Sequence, residues 1–377
     1  MNITDNHIEG RCENYYRISS QIALLDNEYL GSLFAASESS TGWGRNHTID
    51  IGDSKVFVKR VPVTDSEHAN LFTTRNLHDL PTYYNYGVGS AGFGVFRELV
   101  AHIKTTNWVL NGEIENFPLM YHYRIVPYSG EPAGVDLERD EGYVEYWGGN
   151  ANIGKYMLDR RNASYELILF LEYIPHVLRP WLLDNPDRIQ WALDELRVTI
   201  DFLRKNGVTH FDAHYDNILT DGEHTYLTDF GLVLDRNYAL REDEKVFFDA
   251  HTHYDYGEVL ACLTFLINRS HEALSESEKS RIRERYGVQE TDQSFDMMPV
   301  LIANLKELHA DGLMKLNEDC FACLVKYRSV ILLMESFYGT LRGNKRKDTP
   351  FPHEELKRLL AETEFVSDTA TIVKLPA

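Results

Sequence analysis

The chain has 377 residues, 43% of them apolar and 25% charged, with a net charge of −20 at neutral pH. That length exceeds one average domain and predicts two parts around a sizeable core, while the acidic excess excludes a binder of nucleic-acid backbones, which needs a basic face. The longest apolar runs, such as Leu167 to Leu171, are too short to span a bilayer, so no membrane segment is expected.

Four cysteines, Cys12, Cys262, Cys320 and Cys323, are sparse for such a chain and fit a reducing compartment rather than a disulfide framework. Cys320 and Cys323 have redox or zinc spacing, but no second ligand pair accompanies them. They fall in an apolar, helix-like run and are expected in the core. The stretch Met1 to Asn6 has neither a basic start nor an apolar block, and the expectation is a soluble, cytoplasmic protein.

Ile22, Leu25, Tyr29 and Leu33 recur at helical spacing and predict a leading helix from about Ser19 to Ala36. A polar stretch follows in which Gly42 and Gly44 are candidates for a phosphate-covering loop, since backbone amides approach phosphates closely only where side chains are absent. Thr48 to Asp53 and Lys55 to Lys59 read as paired strands turning at Gly52-Asp53. Lys59, ending Val56-Phe57-Val58-Lys59, is the candidate phosphate-binding lysine, with Lys55 and Arg60 as nearby rivals. Its carboxylate partner is Glu67 or Glu98. Glu67 already has a role in the capping box Thr64-Asp65-Ser66-Glu67, so Glu98, on an amphipathic helix reaching about Leu110, is preferred. Residues 64–92 then become an extra segment between strand and helix, with Gly87, Gly89 and Gly92.

Phe117 to Val126 reads as a strand, and residues 127–163, rich in Gly, Pro and acids, as a surface connection. Tyr165 to Glu172 reads as a buried strand ahead of a break at Pro175. Ile189 to Lys205 is an amphipathic helix stopped by Asn206-Gly207. Farther on come buried helices over 256–268 and 318–338, a basic solvated loop from Arg342 to Lys347, and a last helix from about His353 to Thr363.

The most informative stretch is His210-Phe211-Asp212-Ala213-His214-Tyr215-Asp216-Asn217, followed by Leu227-Thr228-Asp229-Phe230-Gly231-Leu232. Between them, Ile218-Leu219 and Tyr226-Leu227 read as two short strands around an Asp221-Gly222 turn. A carboxylate that orients a hydroxyl, with an Asn and a second Asp offering hard oxygens to Mg²⁺, is the equipment of phosphoryl transfer from ATP. The plain alternative is a turn-rich hairpin with solvated acids.

This order of residues resembles the protein-kinase-like superfamily. The resemblance runs from about Ser37 to Ile267. It implies an α+β, two-lobed protein-kinase-like fold with a small antiparallel-sheet N-lobe and a mainly α-helical C-lobe. Residues 1–36 would be an N-terminal helical extension, 37–175 the N-lobe with insertions at 64–92 and 127–163, and 176–377 the C-lobe. It implies ATP and Mg²⁺: Gly42, Gly44 and Lys59, held by Glu98, at the phosphates; Glu172, Tyr173 and Ile174 at the adenine; Asp212 as the catalytic carboxylate; Asn217 and Asp229 at the metal. His210 is expected to be structural, and Asp255 resembles the aspartate that braces the catalytic loop in that family.

The chain also departs from the pattern. Phe211 stands where that family has an arginine that receives an activation-loop phosphate, so activity without such phosphorylation is expected. The segment from Gly231 to Asp255 is short and lacks Ala-Pro-Glu. His214, a phosphate or acceptor contact or simply a turn residue, makes the loop similar to aminoglycoside and choline phosphotransferases, whereas Asp229-Phe230-Gly231 follows the protein-kinase form. The leading expectation is an atypical protein kinase of bacterial type acting on Ser/Thr hydroxyls. A small-molecule kinase and a nucleotide-binding pseudokinase scaffold are the alternatives. The partners expected are ATP and a protein substrate or small acceptor, with no nucleic acid and no membrane.

Overall fold

In the computed structural model, which describes residues 3–36, 39–41, 45–128, 137–289 and 294–366, the chain opens with helices α1 (Ile3–Leu24) and α2 (Asn27–Ala36). The single helix expected from Ser19 is broken at Leu25-Asp26, where Asp26 Oδ1 accepts the Tyr29 amide at 2.7 Å and starts a new helix. The break shifts the buried stripe: Ile18, Ile22, Leu30 and Phe34 are buried, whereas Tyr29 is exposed.

Strands β1 (Ser39–Thr41), β2 (Arg45–Ile51), β3 (Ser54–Val63), β4 (Met120–Pro127) and β5 (Tyr165–Glu172) form an antiparallel sheet in the order β1-β2-β3-β5-β4. β2 and β3 turn at Gly52-Asp53, with Gly52 at a φ of 63°. Alternation along β3 then sorts its side chains. Val56 and Val58 pack with Ile18 and Ile22 on one face, and Val61 and Val63 pack with Leu167 and Leu169 on the other. Lys59 shares the second face, because successive side chains on a strand point to opposite sides.

That face is covered by α4 (Val95–Leu110), which follows the single turn α3 (Asp65–His68). Val95, Phe96 and Leu99 join the cluster around Val61, so the first turn of α4, with Glu98, lies beside Lys59. The region once expected as a surface connection carries two helices, α5 (Leu137–Tyr146) and α6 (Ala151–Arg161). Trp147, Ile153 and Tyr156 are buried there with Leu80, Tyr84 and Phe93. The two extra segments thus share a satellite core, which the acidic composition of residues 127–163 hid.

The rest is largely helical. After β6 (His176–Val177) and α7 (Leu178–Asp184), helix α8 (Ile189–Lys205) ends at Asn206, with Gly207 at a φ of 71°. Four short strands follow: β7 (Val208–Thr209), β8 (Ile218–Thr220), β9 (Thr225–Leu227) and β10 (Leu234–Asp235). β8 and β9 form the expected hairpin, with Thr220 opposite Thr225. Helices α9 (Glu242–Ala250), α10 (Tyr254–Ala261), α11 (Thr264–Glu272), α12 (Glu276–Tyr286), α13 (Ser294–Ala303), α14 (Leu305–Ala310), α15 (Glu318–Gly343) and α16 (His353–Glu362) complete the chain. The molecule is therefore mixed α+β, a small antiparallel sheet beside a helical region. The helix expected over 256–268 is split at Cys262-Leu263. Cys320 and Cys323 are buried and free.

One further detail corrects the sequence reading. Lys347 is not in a solvated loop: it is 2% exposed, and its ammonium donates to the Leu341 and Arg342 carbonyls at the end of α15, above the Tyr146 ring. Helix α4 is also tied to the helical part. Arg97 and Glu244, both buried, pair at 2.7 Å, and Lys104 meets Asp235 at 2.5 Å. Among the described residues no helix is long and apolar enough to cross a membrane.

Candidate functional site

Lys59 is the node of the site. Its ammonium donates to Glu98 Oε1 at 2.6 Å and to Asp229 Oδ1 at 2.8 Å. Its rivals are placed elsewhere: Arg60 pairs with Glu166 at 2.5 Å on the opposite face of the sheet, and Lys55 is exposed. Glu67 is fully engaged, accepting from the Thr64 amide and hydroxyl and from the Val95 amide. Burial alone would neutralise Lys59, but the two carboxylates outweigh it and hold the ammonium charged, its pKa raised. Burial likewise pushes the Asp229 carboxyl up. Lys59's charge and hydrogen bond overcome that and bring it down to about 2.

The segment from His210 to Asn217 is held from beneath by α10. Asp255 accepts the His210 and Phe211 amides at 2.7 and 2.9 Å, and Glu258, one turn on, accepts the Ala213 amide at 2.7 Å. These contacts hold Phe211 at a φ of 66°, a left-handed conformation that is unfavourable for a bulky residue. The Phe211 ring is buried against Phe247 and Tyr254. His210 accepts from the Asp212 amide at Nδ1, and its Nε2 lies 3.0 Å from the Thr228 carbonyl. A carbonyl can only accept, so the ring is the neutral Nε2–H tautomer; burial pushes its pKa down to about 4. His210 is a structural bracket between the two motifs. Replacing Asp255 with alanine orphans two buried amides and is expected to destabilise the fold by about 2–5 kcal/mol, measured by denaturant unfolding. Asp255→Asn, which keeps one strong acceptor, should lose less.

Asn217 donates both amide hydrogens toward Asp212, to its carbonyl at 3.0 Å and to Oδ2 at 2.9 Å. Its own Oδ1 is left as an acceptor. Asp229 has Oδ1 engaged by Lys59 and keeps Oδ2; its side chain is 41% exposed, toward the cleft. Two available oxygens, from an amide and an ionised carboxylate, suit a hard cation such as Mg²⁺. His214 Nε2 lies 3.6 Å from Asp212 Oδ1.

A cleft of about 370 Å³ opens between sheet and helical region, lined by Lys59, Glu172, Tyr173, Ile174, Asn217 and Asp229 among others. Glu172, expected at the adenine through its main chain, lines this cleft. Its amide donates to the Leu119 carbonyl at 2.7 Å and its carboxylate binds Arg11 of α1. The main-chain groups of Tyr173 and Ile174 have no hydrogen-bond partner among the described residues. Gly42 and Gly44 lie outside the described residues.

Sequence reasoning missed how the first extra segment meets the site. Gly87 lies against Asp212, and Phe93 donates its amide to the Gly231 carbonyl at 2.8 Å. Asn85 donates to the Leu232 carbonyl, also at 2.8 Å. Together they leave a second cavity of about 240 Å³ bounded by Ser90, Gly92, Arg160, Asp212 and Asp229. The run of glycines marked the segment, but nothing in the spacing pointed it at Asp212. Glu258 was legible in principle, sharing a helix face with Asp255 three residues earlier.

No protein-family model matches the chain and no curated protein matches it in sequence, so the reading of this cleft rests on the geometry of its own residues.

Proposed function

We propose that the chain is an ATP- and Mg²⁺-dependent phosphotransferase with a two-lobed protein-kinase-like fold, acting on Ser/Thr hydroxyls of a protein. The observation that carries the reading is Lys59 bridging Glu98 and Asp229 on the wall of both cavities, with Asp212 lining one and Asn217 the other. Lys59 contacts nucleotide phosphates; Ile174 and Tyr173 face the base. Asn217 and Asp229 hold Mg²⁺, which supplies charge neutralisation at the phosphate oxygens. Asp212 orients the acceptor hydroxyl and takes its proton. Preorganisation does most of the work, through Asp255 and Glu258 below the loop and Asn217 beside the carboxylate.

Burial pushes the Asp212 carboxyl up to about 6, with His214 working against it and Asp229 adding to it. The ionised form accepts the proton, so turnover is expected to fall as pH is lowered through about 6, and a pH–rate profile checks this. The absence of a phosphate receptor at Phe211, together with the Arg97–Glu244 tie on α4, supports activity that phosphatase treatment leaves intact.

A second reading, a small-molecule phosphotransferase, is favoured by the cavity of about 240 Å³ that the Gly87–Gly94 segment leaves over Asp212. γ-labelled ATP offered with a protein extract, and separately with its small-molecule filtrate, separates the two. Label on protein bands, lost in Asp212→Ala, supports the first reading; label confined to the filtrate supports the second. Label in neither fraction overturns both.

A further inference from the structure

We propose that His7, Glu115 and His224 form a binding site for a divalent cation of the zinc type, separate from the oxygen ligands Asn217 and Asp229. The inference is independent of the activity proposed above. The three residues come from distant parts of the chain: α1, the turn between α4 and β4, and the tip of the β8–β9 hairpin. One ligand atom from each lies within 4.8 Å of the others.

Several observations converge on a cation. His7 Nδ1 lies 2.9 Å from Glu115 Oε2, and the His7 and His224 rings stack with centroids 4.8 Å apart. Two imidazoles beside a carboxylate make a nitrogen-rich ligand set. Behind each ring stands a second carboxylate: Asp221 Oδ2 is 4.0 Å from His7 Nε2, and Glu195 Oε2 is 3.9 Å from His224 Nδ1. Neither is within hydrogen-bond distance of its ring, but each lies on the side from which an outer carboxylate, after a small rotation, would take the N–H turned away from a bound ion. This arrangement assigns Nδ1 of His7 and Nε2 of His224 to the cation.

A plain helix anchor would need only the His7–Glu115 contact; it does not require His224 over the ring or Glu195 behind it. Imidazole donors select zinc-like ions over Mg²⁺. The side chains of His7, Glu115 and His224 are 33%, 18% and 25% exposed, which leaves room for water as a fourth ligand. The consequence is a clamp. The hairpin joins Asn217 to Asp229, and the ion would fasten its tip to α1, whose Arg11 already holds Glu172.

The test uses the full chain, stripped of metal and titrated with Co²⁺ as a spectroscopic probe. The expected result is an intense visible band saturating at one equivalent. Zn²⁺ displaces it and excess Mg²⁺ does not. The band is lost in His7→Gln and in His224→Gln, with circular dichroism confirming that both fold. It saturates at roughly 10- to 100-fold higher Co²⁺ in Glu195→Gln. His353→Gln, on α16, changes nothing. Absence of the band, its persistence in both glutamine variants, or loss of the site to Mg²⁺ would each overturn the proposal.

Discussion

Asp229→Ala is expected to abolish Mg²⁺-dependent turnover while the protein stays folded. Asp229 is bound through Oδ1 by Lys59, and its side chain remains 41% exposed. Removing it takes away a proposed metal ligand and one of the two anchors of Lys59. The expected loss is roughly 1,000-fold or more, the scale on which preorganised charge contributes in a water-poor site. The fold should be little affected. Lys59 retains Glu98 at 2.6 Å, so its buried ammonium keeps a charged partner. Labelled-ATP turnover and thermal unfolding measured on the same sample separate the two effects. Full residual turnover would mean that the Asp229-Phe230-Gly231 motif has been misassigned as the metal site.

Gly87→Ala should be nearly as damaging to turnover, although Gly87 belongs to neither motif. A methyl group there would fall inside the van der Waals envelope of Asp212 Oδ1 and within 3.1 Å of the Phe211 carbonyl. The carbonyl cannot yield, because its loop is pinned by Asp255 and Glu258. Asp212 must turn instead, and its bond from Asn217 is lost with it. Misplacing a reacting group by about 1 Å costs on the order of 100-fold, so kcat is expected to fall by about that factor. Neither Gly87 nor Asp212 lines the larger cleft, and the KM for ATP should change less than kcat. Gly142→Ala, where nothing lies within 4 Å, is the control. Wild-type kcat in Gly87→Ala would show that the segment does not press on Asp212 in solution.

What could be read in advance was what depends on short-range pattern. Period-two alternation between Thr48 and Lys59 located the strand pair that carries Lys59. The capping box at Thr64 accounted for Glu67 and so pointed to Glu98. The turn at Asp221-Gly222 set the hairpin that spaces Asn217 from Asp229. What escaped depended on partners distant in the chain. Trp147 and Tyr156 sit among acids and glycines, and only their packing on Tyr84 and Phe93 makes them core. Lys347 looks like a solvated charge until the α15 carbonyls it caps are known. Glu172 sits in the expected strand, but Arg11, on a helix that the periodicity had started too late, redirects its side chain. Gly87 is one glycine among several, and only the fold brings it onto Asp212.

The most direct test of the account is a calorimetric titration of ATP into the full chain, with and without Mg²⁺. Saturable one-to-one binding that requires Mg²⁺ is expected, weakened at least roughly tenfold, about 1.4 kcal/mol, in Lys59→Met and in Asp229→Ala. No binding under either condition, or equal affinity in the wild type and both variants, would contradict the assignment of this cleft to Mg²⁺-ATP.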